Sequence, residues 1–516
     1  MTLNSALEQA YDSPEGDFAV APEAQAARKL PFAPMRQKVV ALPGDGIGPE
    51  IMEAVQRILV AGGARIDWTT CEAGASANDK GAASGLPRET LDEIADAGFV
   101  LKGPLETGIG SGGKSANVTL RKHFELYANV RPARRLPGVI TPYMDRIIDL
   151  VVVRENVEDL YAGIEHMQTP DVAQCLKLVT RAGSTKIAEA AFALAKAEGR
   201  SRVTVASKAN IMKLSEGLFK QACEDVAARH SSIQSDHMII DNLAHRLVMS
   251  PEDFDVICTT NMNGDIISDL TAGLVGGLGL APSANLGSRM AMFEAVHGSA
   301  PDIAGKGLAN PTALLLAAIM MLRQGGKLAA AERIEQSLYV TLEDGKDLTA
   351  DMAGPRGVKA GSTAAFADRI ISNLGRRSTD CPPAPRSSLK MPRSRPQTTA
   401  VSAVTARSDA GMDIFVEYGG TPTELAACLK TAAADLPFTL AMISNRGLKV
   451  YPGTVPMADF ADHWRCRFAS RVPGDDLPER QLADLMARIS NFARWCHVER
   501  LQMMDGSPGF SVAQGQ

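Results

Sequence analysis

Three stretches of the chain carry residue types that could do chemistry together. Lys208-Ala-Asn210-Ile-Met-Lys213 supplies a lysine and an amide where a strand gives way to a helix. Asn261-Met-Asn-Gly-Asp265-Ile-Ile-Ser-Asp269 supplies two carboxylates at i and i+4. On a helix that spacing puts both on one face, about one turn apart. Such a pair can hold a hard divalent cation such as Mg²⁺ through oxygen, although two aspartates also suit an ordinary solvated helix start. The third stretch, residues 103–161, is rich in anion-binding groups. It holds Thr107, Ser115, Asn117, Arg121, Asn129, Arg131, Arg154, Asn156, Asp159 and Tyr161. Arginine presents a planar fork that grips carboxylates bidentately. Arg121, Arg131 and Arg154 meeting in one pocket would suit a small molecule with several carboxylates. Taken singly, each reads better as a surface arginine.

Alternating strands and helices must position these groups. Residues 38–43 read as a short apolar strand, followed by Gly44-Asp-Gly-Ile-Gly-Pro-Glu50 and a helix with Ile51, Val55, Ile58 and Leu59 on one face. The glycine turn is not the G-x-G-x-x-G dinucleotide fingerprint, and close strand–helix packing explains it as well. Further strands are expected over residues 97–102, 148–154, 202–207 and 254–258, with helices over 185–198 and 214–229. This rhythm predicts an α/β fold with much parallel pairing. Ligand sites in such sheets gather at the carboxyl ends of strands, where Arg154, Lys208 and Asn261 all fall.

The totals exclude several classes. The chain has 516 residues, 45% apolar and 22% charged, with net charge −5. No long basic block stands in the first 375 residues, which argues against a nucleic-acid binder. No apolar run of about 18 residues reads as a membrane span. Residues 1–37 read as a loose acidic leader rather than a secretory or transit peptide. The eight cysteines are scattered without a C-x-x-C pair, which suits a reducing cytoplasm with most thiols buried. Residues 376–411, rich in Pro, Ser, Thr and Arg, read as a linker. Residues 412–516 read as a C-terminal α+β domain: a capping box at Thr421–Glu424, a hairpin turn at 445–447, and two helices on one face of a small sheet. His463 and His497 read there as surface or core imidazoles.

The ordered motifs GDGIGPE, KSANVTLRK, VVVRENVEDLYAG, SKANIMKLSEGLF, TTNMNGDIISDL and EAVHGSAPDIAGKGLANP resemble the β-decarboxylating dehydrogenases, the isocitrate/isopropylmalate family. The resemblance spans residues 38–375. MISNRGLKVYP, DHWRCRF and DGSPGFSVAQG extend it to the long bacterial isocitrate dehydrogenases with an extra C-terminal domain. It implies a large domain (38–126 and 276–375), a small domain with a dimer clasp (127–275), and an active site shared between subunits of a homodimer or higher homo-oligomer. It implies Tyr161 and Lys208 as the acid–base pair, and Asp241, Asp265 and Asp269 as ligands of Mg²⁺ or Mn²⁺, with Lys208 and Asp241 coming from the partner subunit. Thr107, Ser115, Asn117, Arg121, Arg131 and Arg154 are implied at isocitrate. A hydroxyl and an amide at 115 and 117 suit its third carboxylate, whereas an apolar tail would leave them unpaired. Asn210, Glu294, His297, Gly298, Ala300, Asp302, Ile303 and Asn310 are implied at the cofactor. The resemblance pairs NADP with Lys-Tyr at the positions of Asp302 and Ile303. An aspartate there can accept ribose hydroxyls and would repel a 2′-phosphate, so NAD is expected, with Arg356 or Lys359 as the basic groups that could compensate.

Overall fold

The computed structural model describes residues 37–106, 115–380, 406–453, 457–471, 477 and 479–512. Among these, twelve strands precede the tail: β1 (Gln37–Leu42), β2 (Ile66–Thr70), β3 (Phe99–Lys102), β4 (Ala128–Arg134), β5 (Asp149–Glu155), β6 (Glu165–Thr169), β7 (Val172–Cys175), β8 (Arg202–Ser207), β9 (Gln234–Ile239), β10 (Val256–Thr259), β11 (Pro282–Leu286) and β12 (Ala291–Ala295). Ten of them form one sheet in the order β2-β1-β3-β12-β11-β4-β5-β10-β8-β9. Its two ends, β2-β1-β3-β12 and β5-β10-β8-β9, are parallel. The centre is antiparallel, because β11 pairs β12 and β4, and β4 pairs β5, in opposite directions. Parallel strands covered on both faces read as unbroken apolar runs, as in Leu150 to Val153, all buried. That run looks the same whichever way its neighbour points, so the antiparallel centre was not legible in the sequence.

Helices cover the sheet: α1 (Gly48–Ala61), α2 (Ala116–His123), α3 (Arg181–Glu198), α4 (Ser215–Ala227), α5 (Ile240–Met249), α6 (Asn261–Leu274) and α7 (Thr312–Gln324). Ile51, Val55, Ile58 and Leu59 of α1 are buried in the main core. The glycines before α1 serve packing. Gly46 has φ +58°, and a Cβ there would lie 2.0 Å from the Ser299 carbonyl oxygen; the Ile47 amide donates to that same oxygen at 2.8 Å. The glycine turn thus seats the 297–303 loop.

The tail builds a second sheet and core. Strands β13 (Arg407–Glu417), β14 (Phe438–Asn445), β15 (Leu448–Tyr451), β16 (His463–Ser470), β17 (Arg494–Met504) and β18 (Ser507–Pro508) pair antiparallel in the order β15-β14-β16-β13-β17-β18. Helices α8 (Pro422–Ala432) and α9 (Glu479–Ile489) share a core with Met412, Ile414 and Val416 of β13. The capping box of Thr421 and Glu424 is formed. β13 starts at Arg407, inside the expected linker, because its first residues are polar and pair with β17. The rest of that linker, residues 381–405, and the leader, residues 1–36, lie outside the described residues. β6 and β7 pair only with each other, and Gln168 of β6 meets Cys496 and His497 of β17. His463 and His497 stack on Phe415. The cysteine expectation is corrected: of the seven described thiols only Cys223, Cys258 and Cys466 are buried, and all seven are free. No helix among the described residues is long and apolar enough to cross a membrane.

Candidate functional site

α6 organises the site. It starts immediately beyond β10, so its first turns meet the carboxyl ends of β5 and β10. Arg154 of β5 is fully buried. Its Nε and Nη2 donate to Asn261 Oδ1 at 3.0 and 2.8 Å, and its Nη1 donates to Asp265. Arg131, on neighbouring β4, donates to Ser268 Oγ at 2.7 Å and to Asp265 Oδ1 at 3.1 Å, with Asp269 at 3.5 Å. Arg121 lies in the last turn of α2 and donates to Glu294 Oε1 at 3.0 Å. The two aspartates lie on one face of α6, as their spacing predicts, and both face arginines.

Charge is concentrated here beyond what the chain itself neutralises. Burial lowers the proton affinity of Arg154, and the charges of Arg131 and Arg121 lower it further, to about 10. Burial also depresses Arg131, against the pull of Asp265. Arg121 Nε, Arg131 Nε and Asn117 Oδ1 are buried without a partner. Unmet buried donors beside like charges are costly, and carboxylates of a ligand would satisfy them. Burial works against ionisation of Asp265, but Arg154 and Arg131 prevail and hold it below the usual carboxylate range. Asp269 is more exposed and is raised, by burial first.

Tyr161 sits in the short turn Leu160–Ala162. Its hydroxyl donates to Asp265, and the Arg154 guanidinium lies 5.0 Å from its ring centre. Burial and the bond to Asp265 raise its pKa, so the phenol keeps its proton at neutral pH. Lys208 follows β8 on a turn, with Nζ 2.5 Å from Asp241 Oδ1 at the start of α5. Both are solvent-accessible, unlike the arginine cluster. The exposed apolar Ile211 and Leu214 lie on the same turn. The expected set therefore separates within one chain. Arg121, Arg131, Arg154, Tyr161, Asp265 and Asp269 share one network; Lys208 and Asp241 form another. Among the described residues no three His, Cys, Asp or Glu side chains gather to hold a metal. Asp265 and Asp269 supply hard oxygen donors on one helical face, the donor type that suits Mg²⁺ or Mn²⁺. Thr107 lies outside the described residues; Ser115 directly precedes α2, and Asn210 is exposed beside Lys208.

The 297–303 loop is anchored on the glycine turn. His297 Nδ1 lies 3.0 Å from the Gly298 carbonyl, its Nε2 is buried without a partner, and burial lowers its pKa. Gly298 is exposed, Ala300 takes φ +42°, Asp302 is exposed and Ile303 packs on the core. Asn310 is held by Asp351 at 2.8 Å and caps the Thr312 amide at 2.9 Å. Glu294 is buried against Lys102 at 2.8 Å and Asn285 at 2.7 Å as well as Arg121. Despite burial, Lys102 and Arg121 hold its carboxyl far below the usual range. Its contacts brace Arg121, which a sequence reading that places it at the cofactor does not anticipate. Sequence reasoning also gave no role to Lys177 and Glu216. Glu216 stands inside the SKANIMKLSEGLF motif, so it could have been found; Lys177 carries no local signal.

Residues 38–370 match the isocitrate/isopropylmalate dehydrogenase family, and residues 407–516 match the bacterial isocitrate dehydrogenase C-terminal domain. The chain is 52% identical over 484 residues to an isocitrate dehydrogenase [NADP] of Thermus thermophilus, covering 93% of this chain and 96% of that one. It is 40% identical to an isocitrate dehydrogenase [NADP] of Rickettsia bellii, covering 92% and 98%. A crystal structure of a Thermus thermophilus protein superposes with TM-score 0.88 at 52% identity, covering 93% of this chain and 96% of that one.

These relatives overturn the expectation of NAD: they span both the body and the tail, and their names give NADP. The expectation rested on Asp302 and Ile303 standing where the resemblance pairs NADP with Lys-Tyr. Asp302 is exposed, where solvent and salt screen its repulsion, and Lys306 donates to the backbone carbonyl of Asp302 at 2.7 Å, bringing a cation alongside. Arg356 is turned away, onto the carbonyls of Gly138 and Leu342.

Proposed function

Since the chain belongs to the isocitrate/isopropylmalate dehydrogenase family, we propose that it is an NADP-dependent isocitrate dehydrogenase, forming 2-oxoglutarate and CO₂ in a homodimer with shared active sites. The observation that carries this reading is the arginine cluster: three mutually repelling guanidiniums, two of them (Arg121 and Arg131) with a buried unmet donor, suited to a ligand with several carboxylates. The Ser115 hydroxyl and the Asn117 amide favour a polar third arm over an apolar tail.

The roles divide by position. Arg121, Arg131 and Arg154 bind and orient the acid, with Ser115 and Asn117 at its third carboxylate. Asp265 and Asp269, with Asp241 of the partner subunit, would hold Mg²⁺ or Mn²⁺, which supplies Lewis-acid stabilisation of negative charge, as NADP supplies the hydride acceptor. Lys208 of the partner subunit takes the hydroxyl proton as hydride leaves the substrate carbon. Tyr161, held protonated, returns a proton to the enolate carbon after CO₂ departs. His297, Gly298, Ala300, Asp302, Ile303 and Asn310 are proposed to line the nucleotide, with Asn210 near the nicotinamide end.

The test is 2-oxoglutarate formation by the purified chain with isocitrate, Mn²⁺ and either nucleotide. Turnover with a higher kcat/KM for NADP than for NAD is expected. A chain that binds isocitrate without turnover would sink the enzymatic reading; a preference for NAD would sink the nucleotide assignment alone.

A further inference from the structure

A buried charge triad joins the two networks that the site geometry separates. Lys177 Nζ contacts Asp159 and lies 3.0 Å from Glu216 Oε1. Both acids are almost wholly buried, and Lys177 nearly so. Asp159 immediately precedes the turn bearing Tyr161. Its carboxylate accepts from the Leu160 amide at 2.8 Å and from the Met262 amide, at the start of α6, at 2.9 Å. Glu216 accepts from the backbone amide of Lys208 and from Asn263 Nδ2, at 3.2 Å, also on the first turn of α6. One ammonium therefore sits between the acid that holds the tyrosine turn and the acid that holds the lysine turn.

Asp159 is also strained, with φ +69° and ψ −148°, a region a non-glycine residue keeps only when its surroundings over-determine it. Its amide donates to Leu178 O at 2.8 Å, so the segment carrying Lys177 is what pins it. Burial by itself would lower the Lys177 pKa, but Asp159 and Glu216 more than offset this and leave it raised. The ammonium is a permanent charge, and without it the two acids would face each other across a dry gap.

We propose that Lys177 is a positioning residue that couples the two active sites of a dimer: through Asp159 it sets Tyr161 for its own site, and through Glu216 it sets Lys208 for the other. This rests on the shared-site reading above. A change at Lys177 in one chain then disturbs both sites, since each chain lends its lysine turn to its neighbour. Small misplacements of catalytic groups cost roughly ten- to hundred-fold in rate, and isocitrate still meets intact arginines.

The test uses full-length dimers assembled from two differently tagged chains. A heterodimer of Tyr161→Phe with Lys208→Met is the control for sharing: one of its sites is intact, so recovery of half the activity is expected. No recovery would overturn the shared-site reading, and the coupling with it. The Lys177→Met homodimer should lose kcat roughly ten- to hundred-fold while KM for isocitrate barely moves, and Lys177→Arg should restore most of the loss. The decisive measurement is the heterodimer of one wild-type and one Lys177→Met chain. Activity well below half supports coupling; half the wild-type activity overturns it while leaving the shared site standing. Should Lys177→Met fail to fold, Glu216→Gln keeps the acceptor for the Lys208 amide, removes the charge facing Lys177 and is read the same way.

Discussion

Two buried arginine clusters in this protein look alike in composition and differ in how fully their donors are met. In the C-terminal sheet Arg467 grips Asp413 with Nε at 2.8 Å and Nη2 at 2.9 Å, Arg465 adds a third bond at 2.6 Å, and both donate to the Ser511 carbonyl. The Phe510 ring covers the Arg467 guanidinium at 4.9 Å. Two cations share one carboxylate and a carbonyl, much as a structural ion pair must if it is to offset desolvation. In the body, Arg121, Arg131 and Arg154 crowd one another, the first two lowering the proton affinity of the third, and leave buried nitrogens unmet. Burial and charge alone do not mark a ligand site; unmet donors held rigidly in place do.

That contrast can be broken by substitution in each cluster. Arg154→Met should lower kcat/KM for isocitrate by roughly 10²- to 10³-fold with a smaller loss of stability, because Arg131 still neutralises Asp265. Arg467→Met should do the reverse, costing about 3 kcal/mol in urea unfolding with kcat/KM unchanged. Equal stability losses, or a catalytic defect in Arg467→Met, would erase the distinction. A buried acid with no arginine at all sharpens it. Glu155 accepts backbone amides, from Val157 and Glu158, and burial raises its pKa to about 7. A folded pKa above the ordinary value of 4.5 means that its protonated form favours folding at low pH. That stability is lost as pH rises through about 7. Glu155→Gln should therefore stabilise the fold by up to about 3 kcal/mol at about pH 8 and hardly at all below the ordinary carboxyl pKa of 4.5. Equal effects at both pH values would show that Glu155 stays ionised.

Much of the site was legible because its residues are local in sequence. Asp265 and Asp269 needed only helical periodicity, and the Thr421 capping box only a short local pattern. The nucleotide expectation failed because it weighed the types of residues 302 and 303 without the lysine on the Asp302 carbonyl or the solvent around that exposed side chain. The start of β13 was missed because polar strand residues carry no apolar alternation, and only pairing with β17 defines them.

By itself the sequence determined the alternation of strands and helices, the aspartate pair on one face of α6, the arginines at strand and helix ends, and a separate C-terminal sheet. Those follow from periodicity, capping and local spacing, which neighbouring residues set. Tertiary structure decided which charges meet: that Arg131 and Arg154 share Asp265, that Glu294 braces Arg121, and that Lys177 lies between Asp159 and Glu216. Such pairings join residues distant along the chain, and their strength depends on burial, which no single stretch of sequence contains.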